Sequence, residues 1–148
     1  MKTIDVCKTD VVCVLRRTTL TEAARLMRER HVGCVVVVDS LERRSPVGML
    51  TDRDMVVEVI AAAMDHRGIT VGEIMTTPVV TADADEDVLA SLRLMRLRGV
   101  RRLPLIDNDG LLVGLTSLDD LLDVAGDAFY DIVGAISSER SLEGWRRP

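Results

Sequence analysis

The sequence contains one pattern twice, and this duplication limits the fold more than any other feature. A short apolar strand that ends in a hydroxyl residue, with an aspartate three positions later, occurs at residues 47–55 and again at 113–121. Met27 and Met95 hold matching places 68 residues apart. An internal repeat of this kind indicates two related units. Two copies are too few for a solenoid, so we expect the units to bury their apolar faces against each other.

The composition restricts the class of protein. Hydrophobic residues make up 47% of the 148 residues, which is enough for a real core, but only 2% are aromatic. A net charge of −5 argues against nucleic-acid binding driven by phosphate neutralisation. Three cysteines without the spacing of a disulfide framework indicate reduced thiols and a cytoplasmic protein. We see neither a signal peptide nor an apolar run near the roughly 20 residues that span a bilayer.

The first unit, residues 1–67, has the order strand, helix, strand, strand, helix. Thr19, followed three positions later by Glu22, predicts a capping-box start for the first helix. Thr51 is the predicted cap of the second helix, which we expect to end near Met64. The strands are predicted at residues 11–15, 34–38 and 47–50.

The second unit, residues 68–126, repeats this order. Asp85 is the predicted cap of a helix that turns Val88, Leu92 and Met95 inward, and Pro104 indicates an edge strand or an exposed approach of the backbone. Strands are predicted at residues 79–81, 103–106 and 111–115, and helices at 117–124 and, as an extra element, within the tail 127–148. The fold class is therefore α+β (mixed α/β), with two βαββα units and a C-terminal helix.

At this point the sequence resembles a known family. Gly48, Thr51 and Asp54 form the pattern Gly-x-x-Thr-x-x-Asp, and residues 71–80 and 99–106 carry further matches. Together they resemble a pair of cystathionine-β-synthase-type (CBS) domains, the Bateman module, over about residues 2–125. The second copy departs from the pattern by having Ser117 in place of threonine, which keeps the hydroxyl group.

The resemblance implies two units packed about a pseudo-twofold axis with two clefts between them. In this family such clefts bind adenosine-containing ligands: AMP, ADP, ATP or S-adenosylmethionine. It also implies a stand-alone regulatory or sensor protein, a homodimer and a regulated partner whose identity is unknown. For the dimer contact, the candidate surfaces are the helices at residues 52–64 and 117–124, extended by the apolar tail.

The hydroxyl and carboxylate of each repeated motif are candidate ligand contacts. The resemblance implies that Thr51 and Ser117 face phosphate, while Asp54 and Asp120 accept hydrogen bonds from ribose hydroxyls. The alternative is structural, because Thr-x-x-Asp and Ser-x-x-Asp are also helix-capping patterns. Both roles are compatible, since a cap can also face a cleft.

Three arginines and two valines complete the candidate site. Arg101 and Arg102 precede a strand where the first copy has Gly33 and Cys34, so this cationic pair is a candidate for phosphate binding. Arg53 lies within the first motif, and the matching position of the second motif is not basic. The alternative for all three is a solvated surface. By resemblance, Val79 and Val80 give backbone hydrogen bonds and an apolar wall to adenine.

Other kinds of site are weakly supported. The cysteines and histidines do not stand at the spacing of a metal site, so we expect no metal, and no required cofactor. No Gly-x-Ser-x-Gly elbow, Walker loop or Rossmann glycine pattern occurs, and we expect no enzyme. Two alternatives stay open: a dimeric interaction scaffold with empty clefts, and a metal or thiol sensor that uses Cys7, Cys13 or Cys34.

Overall fold

The computed structural model describes the backbone of residues 1–146 and the side chains of residues 1–139. Within these residues, none of the helices combines the length and hydropathy of a membrane span. The elements, in chain order, are a 3₁₀ turn at Thr3–Val6, β1 at Cys13–Leu15, α1 at Leu20–Arg30, β2 at Cys34–Val38, β3 at Pro46–Thr51, α2 at Asp52–Asp54 with a π-helical continuation at Met55–Ile60, α3 at Val71–Ile74, β4 at Ala82–Asp83, α4 at Val88–Arg98, β5 at Arg102–Ile106, β6 at Leu112–Ser117 and α5 at Leu118–Arg146.

The predicted mixed α/β fold is confirmed. Each unit contributes one three-stranded sheet, with strand orders β1-β2-β3 and β4-β5-β6. In both sheets the first pair of strands is parallel and the second pair antiparallel. All five residues of β2 are buried, as expected for a central strand that is covered on both faces.

Helix α1 forms as the sequence predicts. The Thr19 hydroxyl accepts a hydrogen bond from the Glu22 backbone N–H, and the Glu22 carboxylate accepts one from the Thr19 N–H at 2.9 Å. This reciprocal pair satisfies two donors that a helix start leaves open. The face formed by Leu20, Ala23 and Met27 is buried against the sheet of the first unit.

The segment before the first strand of each unit, residues 4–8 in the first unit and 69–76 in the second, packs against the core of the other unit. The backbones of Lys8 and Leu115 exchange two hydrogen bonds, of 2.9 and 2.8 Å, and those of Thr76 and Met49 exchange two of 2.9 and 3.1 Å. As a result Val71, from the start of the second unit's sequence, is fully buried in the first core. The N-terminal residues pack in the same way against the second core.

Two glycines, Gly48 and Gly114, allow each of these crossing segments to lie close to a strand of the other unit. A Cβ atom added to Gly48 would lie 2.5 Å from the Met75 sulfur and 3.1 Å from the Thr76 carbonyl oxygen. A Cβ added to Gly114 would lie 2.5 Å from the Cys7 sulfur. The crossing segment therefore lies directly against the glycine backbone, and any larger residue would displace it.

The predicted strand at residues 79–81 is wrong, because the strand begins later, at Ala82. In the first unit, the Val36 N–H donates to the Val12 carbonyl at 3.0 Å. The residue at the matching place of the second unit is Pro104, which has no N–H to donate. Pairing between β4 and β5 accordingly begins only at Ala82 and Leu105.

Of the two alternatives for Pro104, the edge strand is wrong. It lies in β5, the central strand of its sheet, opposite Leu115 of β6. The missing N–H is tolerated there because Pro104 lies before the first residue of β5 that pairs with β4.

Helix α4 begins two residues later than predicted. Asp87, rather than Asp85, caps it by accepting a hydrogen bond from the Leu89 N–H at 2.9 Å. The carboxylate of Asp85 instead pairs with the Lys2 ammonium at 2.7 Å. Leu92, predicted to face inward, is exposed, and Ser91 is buried in its place against the Thr3 hydroxyl at 2.9 Å.

The last helices of the two units differ from the prediction in opposite ways. The helix after Thr51 changes to π-helical hydrogen bonding and ends at Ile60, before the predicted end near Met64. Helix α5, predicted as two helices separated near Gly126, is one continuous helix from Leu118 to Arg146. An isolated glycine inside a helix costs about 1 kcal/mol relative to alanine, which does not suffice to break it.

Candidate functional site

A cleft of about 370 Å³ brings together seven of the nine residues predicted for the ligand site. It opens between the end of β3 in the first unit and the segments before β4 and β5 in the second. We call it the arginine cleft. Its predicted lining residues are Thr51, Arg53, Asp54, Val79, Val80, Arg101 and Arg102.

The other two predicted residues, Ser117 and Asp120, line a second cleft of about 200 Å³. This cleft, which we call the acidic cleft, is lined largely by residues that the repeat matches to those of the arginine cleft. Arg102 lines both clefts. The nine predicted residues therefore belong to two neighbouring sites, with one arginine between them.

The two clefts carry opposite charge. The arginine cleft has three cationic side chains, Arg53, Arg101 and Arg102, and one carboxylate, Asp54. The acidic cleft has three carboxylates, and its cationic residues are Lys8 and Arg102, with His31 also present. One carboxylate of the acidic cleft, Asp120, is paired with Lys8 at 3.7 Å. An anionic ligand is thus favoured in the arginine cleft.

The Thr51 and Asp54 side chains form a capping box at the wall of the arginine cleft. Asp54 Oδ2 accepts a hydrogen bond from the Thr51 N–H at 2.8 Å, and the Asp54 N–H donates to the Thr51 hydroxyl at 3.1 Å. Ser117 and Asp120 repeat the arrangement in the acidic cleft, with the Ser117 N–H donating to Asp120 at 2.8 Å. The structural alternative for these residues is therefore realised, and both carboxylates also line a cleft.

The three arginines of the arginine cleft differ in exposure. Arg53 and Arg101 are exposed, and Arg102 is half-buried. Arg101 lies 3.6 Å from Asp119 in an ion pair between two largely exposed side chains, which contributes little to stability. Among the described residues, no ion pair holds Arg53 or Arg102.

Val79 and Val80 form one wall of the arginine cleft in extended backbone rather than in a strand. The Val80 carbonyl matches the Val12 carbonyl of the first unit, which accepts the Val36 N–H. Because Pro104 cannot supply the equivalent bond, the Val80 carbonyl keeps a lone pair for another donor.

Sequence reasoning missed five residues that line the same cleft: Met49, Thr76, Pro78, Gly99 and Val100. Thr76 and Pro78 belong to the segment that crosses to the first unit, so their position depends on contacts far away in the sequence. Gly99 ends α4 with a φ of 65°, in the left-handed region. A glycine directly after a helix is a recognisable stop signal, and it could have placed the chain reversal beside Arg101.

Cys34 is buried at the wall of the acidic cleft, and Cys7 and Cys13 are half-buried. Burial raises the pKa of the Cys34 thiol and also that of Cys7. The Cys13 sulfur accepts a hydrogen bond from Arg44 at 3.2 Å. Among residues 1–139, no group of three or more histidine, cysteine, aspartate or glutamate side chains is arranged to hold a metal ion.

Cys34 is expected to be the slowest of the three thiols to react with iodoacetamide in the folded protein at pH 7. The thiolate is the reactive species, and the raised pKa of this buried thiol lowers its population. Mass spectrometry of tryptic peptides after timed alkylation measures each rate. Alkylation in urea is the control, because unfolding should make the three rates similar. Equal rates in the folded state would contradict the burial of Cys34.

The family model of the CBS domain matches this chain twice, over residues 4–61 and 71–127. The chain belongs to the CBS-domain family. The two matches cover the two units, so it is a CBS-pair protein, as the sequence resemblance implied.

Two relatives show how far the likeness extends. Hypoxic response protein 1 of Mycobacterium tuberculosis H37Rv is 33% identical over 138 residues, which are 93% of this chain and 95% of the relative. The uncharacterized protein MK0525 of Methanopyrus kandleri is 35% identical over 120 residues, and the match spans 60% of that protein's length.

Solved structures share the fold. The crystal structure of Hypoxic Response Protein I with two coordinated zinc ions has a TM-score of 0.72 at 33% identity, covering 83% of this chain and 98% of the other. The hexameric CBS-CP12 protein from bloom-forming cyanobacteria has a TM-score of 0.73 at 28% identity, covering 82% and 69%. The CBS pair of protein MJ0100, in complex with 5-methylthioadenosine and S-adenosylmethionine, has a TM-score of 0.75, covering 86% and 98%; at 23% identity, this likeness concerns the fold alone.

Proposed function

We propose that this CBS pair binds an adenine nucleotide in the arginine cleft and acts as a non-enzymatic sensor. The observation that carries the proposal is the charge of the cleft, where three arginines face a single carboxylate. Guanidinium groups match phosphate oxygens in geometry and charge. The cleft volume of about 370 Å³ lies within the usual range for small-molecule sites, whereas the acidic cleft, at about 200 Å³, is smaller.

The ribose is proposed to bind at Asp54. The capping interaction uses only Oδ2 of this carboxylate. Oδ1 is then available to accept hydrogen bonds from the ribose hydroxyls, and Asp54 is half-buried at the cleft wall. Hydrogen bonds to a charged, partly buried acceptor are stronger than those between neutral groups. One residue thus serves both as helix cap and as ribose contact.

The base is proposed to lie against Val79 and Val80, with its amino group donating to the Val80 carbonyl. Adenine has an amino group at position 6, whereas guanine has a carbonyl oxygen there, which cannot donate. Two acceptors facing each other leave a buried polar group unpaired, at a cost of about 1–3 kcal/mol. Pro104, which stands where the first unit has the N–H donor Val36, therefore supports selectivity for adenine.

S-adenosylmethionine belongs to the same adenosyl class, and MJ0100 is crystallised with it. It shares the adenosine moiety of AMP, ADP and ATP but has no phosphate. It brings one carboxylate together with an ammonium and a sulfonium group, so its net positive charge would be repelled by Arg53, Arg101 and Arg102. The arginine cleft therefore favours nucleotides over S-adenosylmethionine.

We also propose that the protein works as a homodimer that passes the ligand signal to a regulated protein. The π-helical segment of the first unit exposes apolar side chains, among them Val56, Val57 and Ile60. Exposed apolar patches of this kind mark association surfaces. Self-association is known for CBS-CP12, which is hexameric. A ligand changes the signal only if it binds two conformations of such an assembly with different affinity.

The nucleotide proposal is tested by isothermal titration with AMP, ADP, ATP, GMP and S-adenosylmethionine at two salt concentrations. The adenine nucleotides are expected to bind, to bind more weakly at 0.5 M than at 0.05 M NaCl, and to raise the melting temperature. GMP is expected to bind about 5- to 150-fold more weakly than AMP, since one unpaired acceptor costs about 1–3 kcal/mol.

The same titration can reject the proposal. Equal affinity for AMP and GMP would contradict the role of the Val80 carbonyl. Binding of S-adenosylmethionine but of no nucleotide would contradict the role of the arginines. No binding by a folded protein would favour the alternative of an interaction scaffold with empty clefts.

A further inference from the structure

Helix α5 carries an apolar stripe that the described part of the chain leaves uncovered. Its first turns pack on the second unit, where Leu121 is buried, but every residue from 125 to 139 is exposed. At about 1.5 Å per residue, the exposed part is about 22 Å long. The large apolar side chains on it are exposed by 48% at Ile136 to 71% at Phe129, with Ile132 and Val133 between them. Uncovered apolar surface of this extent indicates an interface.

The stripe has the spacing of a coiled-coil seam. Its members follow one another at alternating steps of four and three residues, the heptad pattern: Leu118, Leu122, Ala125, Phe129, Ile132 and Ile136. Four acidic residues of the helix lie on the face opposite the seam: Asp120, Asp123, Asp127 and Asp131. Asp119 lies beside Leu118 of the seam, in an ion pair with Arg101. Between residues 125 and 139 the positions that flank the seam are small or apolar: Gly126, Ala128, Val133 and Ala135. In this exposed part no charge beside the seam opposes pairing of two such helices.

We propose that the seam of α5 pairs with the seam of α5 in a second copy of this chain, in antiparallel orientation. The helix is continuous from Leu118 to Arg146 and leaves the second unit, so it cannot fold back on its own body. An apolar heptad seam is complementary to itself, which suits a symmetric contact between identical chains. The proposal adds a second contact to the proposed homodimer and does not depend on the nucleotide site.

Glu139 determines the direction of pairing. It occupies the next seam position after Ile136, and its side chain is exposed. In a parallel pair, the two Glu139 carboxylates would face each other, and like charges in contact destabilise. In an antiparallel pair with Phe129 beside Ile132 of the second copy, Ala125 lies beside Ile136 and Glu139 beside Leu122. Ala125, the small residue of the seam, then faces the larger Ile136.

The antiparallel arrangement also brings Glu139 towards positive charge. Leu122 lies one turn from Leu118, which lines a groove of about 640 Å³ together with Arg93, Arg96 and Arg101. Asp119, also one turn from Leu122, is paired with Arg101. Arg93 and Arg96 therefore supply the positive field that the carboxylate of the second copy's helix would enter. Attraction between such groups supports the antiparallel pair and specifies its register.

The lining of the groove differs between the two units. The first unit keeps Arg25 and Arg28 at the places of Arg93 and Arg96, but has Ala24 for Leu92, Gly33 for Arg101 and Asp52 for Leu118. The two leucines of the groove thus occur only beside the helix that carries the seam. Gly99, Val100 and Arg101 line both this groove and the arginine cleft, so the paired helices lie next to the ligand site.

The first test compares two neighbouring exposed aromatic residues in the full chain. Phe129→Glu puts a charge on the seam, whereas Tyr130→Glu puts it beside Phe129 but off the seam, at a side chain that is 80% exposed. Sedimentation equilibrium is expected to show a dimer dissociation constant at least about tenfold higher for Phe129→Glu than for the wild type, since an unpaired buried charge costs more than about 1.4 kcal/mol, and an unchanged constant for Tyr130→Glu. Circular dichroism of both variants shows that the chain is folded. Equal dissociation constants for the two variants, or a monomeric wild type, would overturn the proposal.

The second test fixes the direction. Ala125→Cys and Ile136→Cys are made separately, mixed and oxidised with diamide, and the disulfides are identified by peptide mapping, which separates them from native cysteines. The expected product links position 125 of one copy to position 136 of the other. A disulfide between two copies of Ala125→Cys as the main product would show a parallel pair, and no link at these positions would overturn the pairing itself.

Discussion

Asp54→Ala is expected to weaken binding of AMP and ATP by about 30-fold. The substitution removes the proposed acceptor of the ribose hydroxyls, and hydrogen bonds to a charged group contribute about 1.5–3 kcal/mol. A loss of about 2 kcal/mol corresponds to about 30-fold in Kd. Isothermal titration at fixed salt concentration measures the change. The loss should be similar for AMP and ATP, because both share the ribose and differ only in phosphates, which the arginines contact.

The repeat provides a matched control, Asp120→Ala. Both aspartates accept the backbone N–H of a capping residue at 2.8 Å, Thr51 in one unit and Ser117 in the other. Each substitution should therefore cost about 1 kcal/mol of stability through the lost cap. Only Asp54→Ala removes a group from the arginine cleft. Equal losses of affinity in both variants, or loss of stability without loss of affinity, would show that Asp54 is a cap alone.

The sequence correctly predicted those elements whose hydrogen bonds join residues close together in the chain. The capping box at Thr19 and Glu22 lies where the sequence places it, because its hydrogen bonds join residues three apart. The duplication also helped, because an element recognised in one unit predicts an element at the matching residues of the other. The mixed α/β class and the two sheets followed from this order alone.

Prediction failed where one side chain changes a hydrogen-bond ladder. The strand predicted at residues 79–81 copied the first unit, where Val36 donates to the Val12 carbonyl. Pro104 removes that donor in the second unit, and the strand begins only at Ala82. A proline inside a strand is visible in the sequence, but its effect falls on the partner strand, which loses the N–H donor and begins later.

The arrangement of the site depends on contacts that no local pattern contains. The sequence indicated nine residues but not their division between two clefts, since this depends on how one unit packs on the other. Arg53 belongs to the first unit and Arg101 to the second, yet both line the same cleft. Thr76 and Pro78 reach that cleft only because their segment crosses to the first unit.

The crossing of these segments leads to the second prediction of large effect, Gly48→Val. This substitution is expected to lower the free energy of unfolding by about 3 kcal/mol. Even a single Cβ at position 48 would lie 2.5 Å from the Met75 sulfur and 3.1 Å from the Thr76 carbonyl oxygen. Met75 is buried in the first core and cannot move freely, and overpacking of this kind costs about 1–3 kcal/mol or more. Urea unfolding followed by circular dichroism measures the change.

Gly134→Val is the control, because a Cβ at position 134 meets no atom within 4 Å. It should leave stability nearly unchanged, since valine is slightly better than glycine in a helix. If Met75 is the obstacle, Gly48→Ala combined with Met75→Ala should destabilise by less than the sum of the single changes. Additive effects would assign the obstacle to the Thr76 backbone instead. Wild-type stability in Gly48→Val would show that the segment does not cross at this glycine, and the arginine cleft would then lose the wall formed by Thr76 and Pro78.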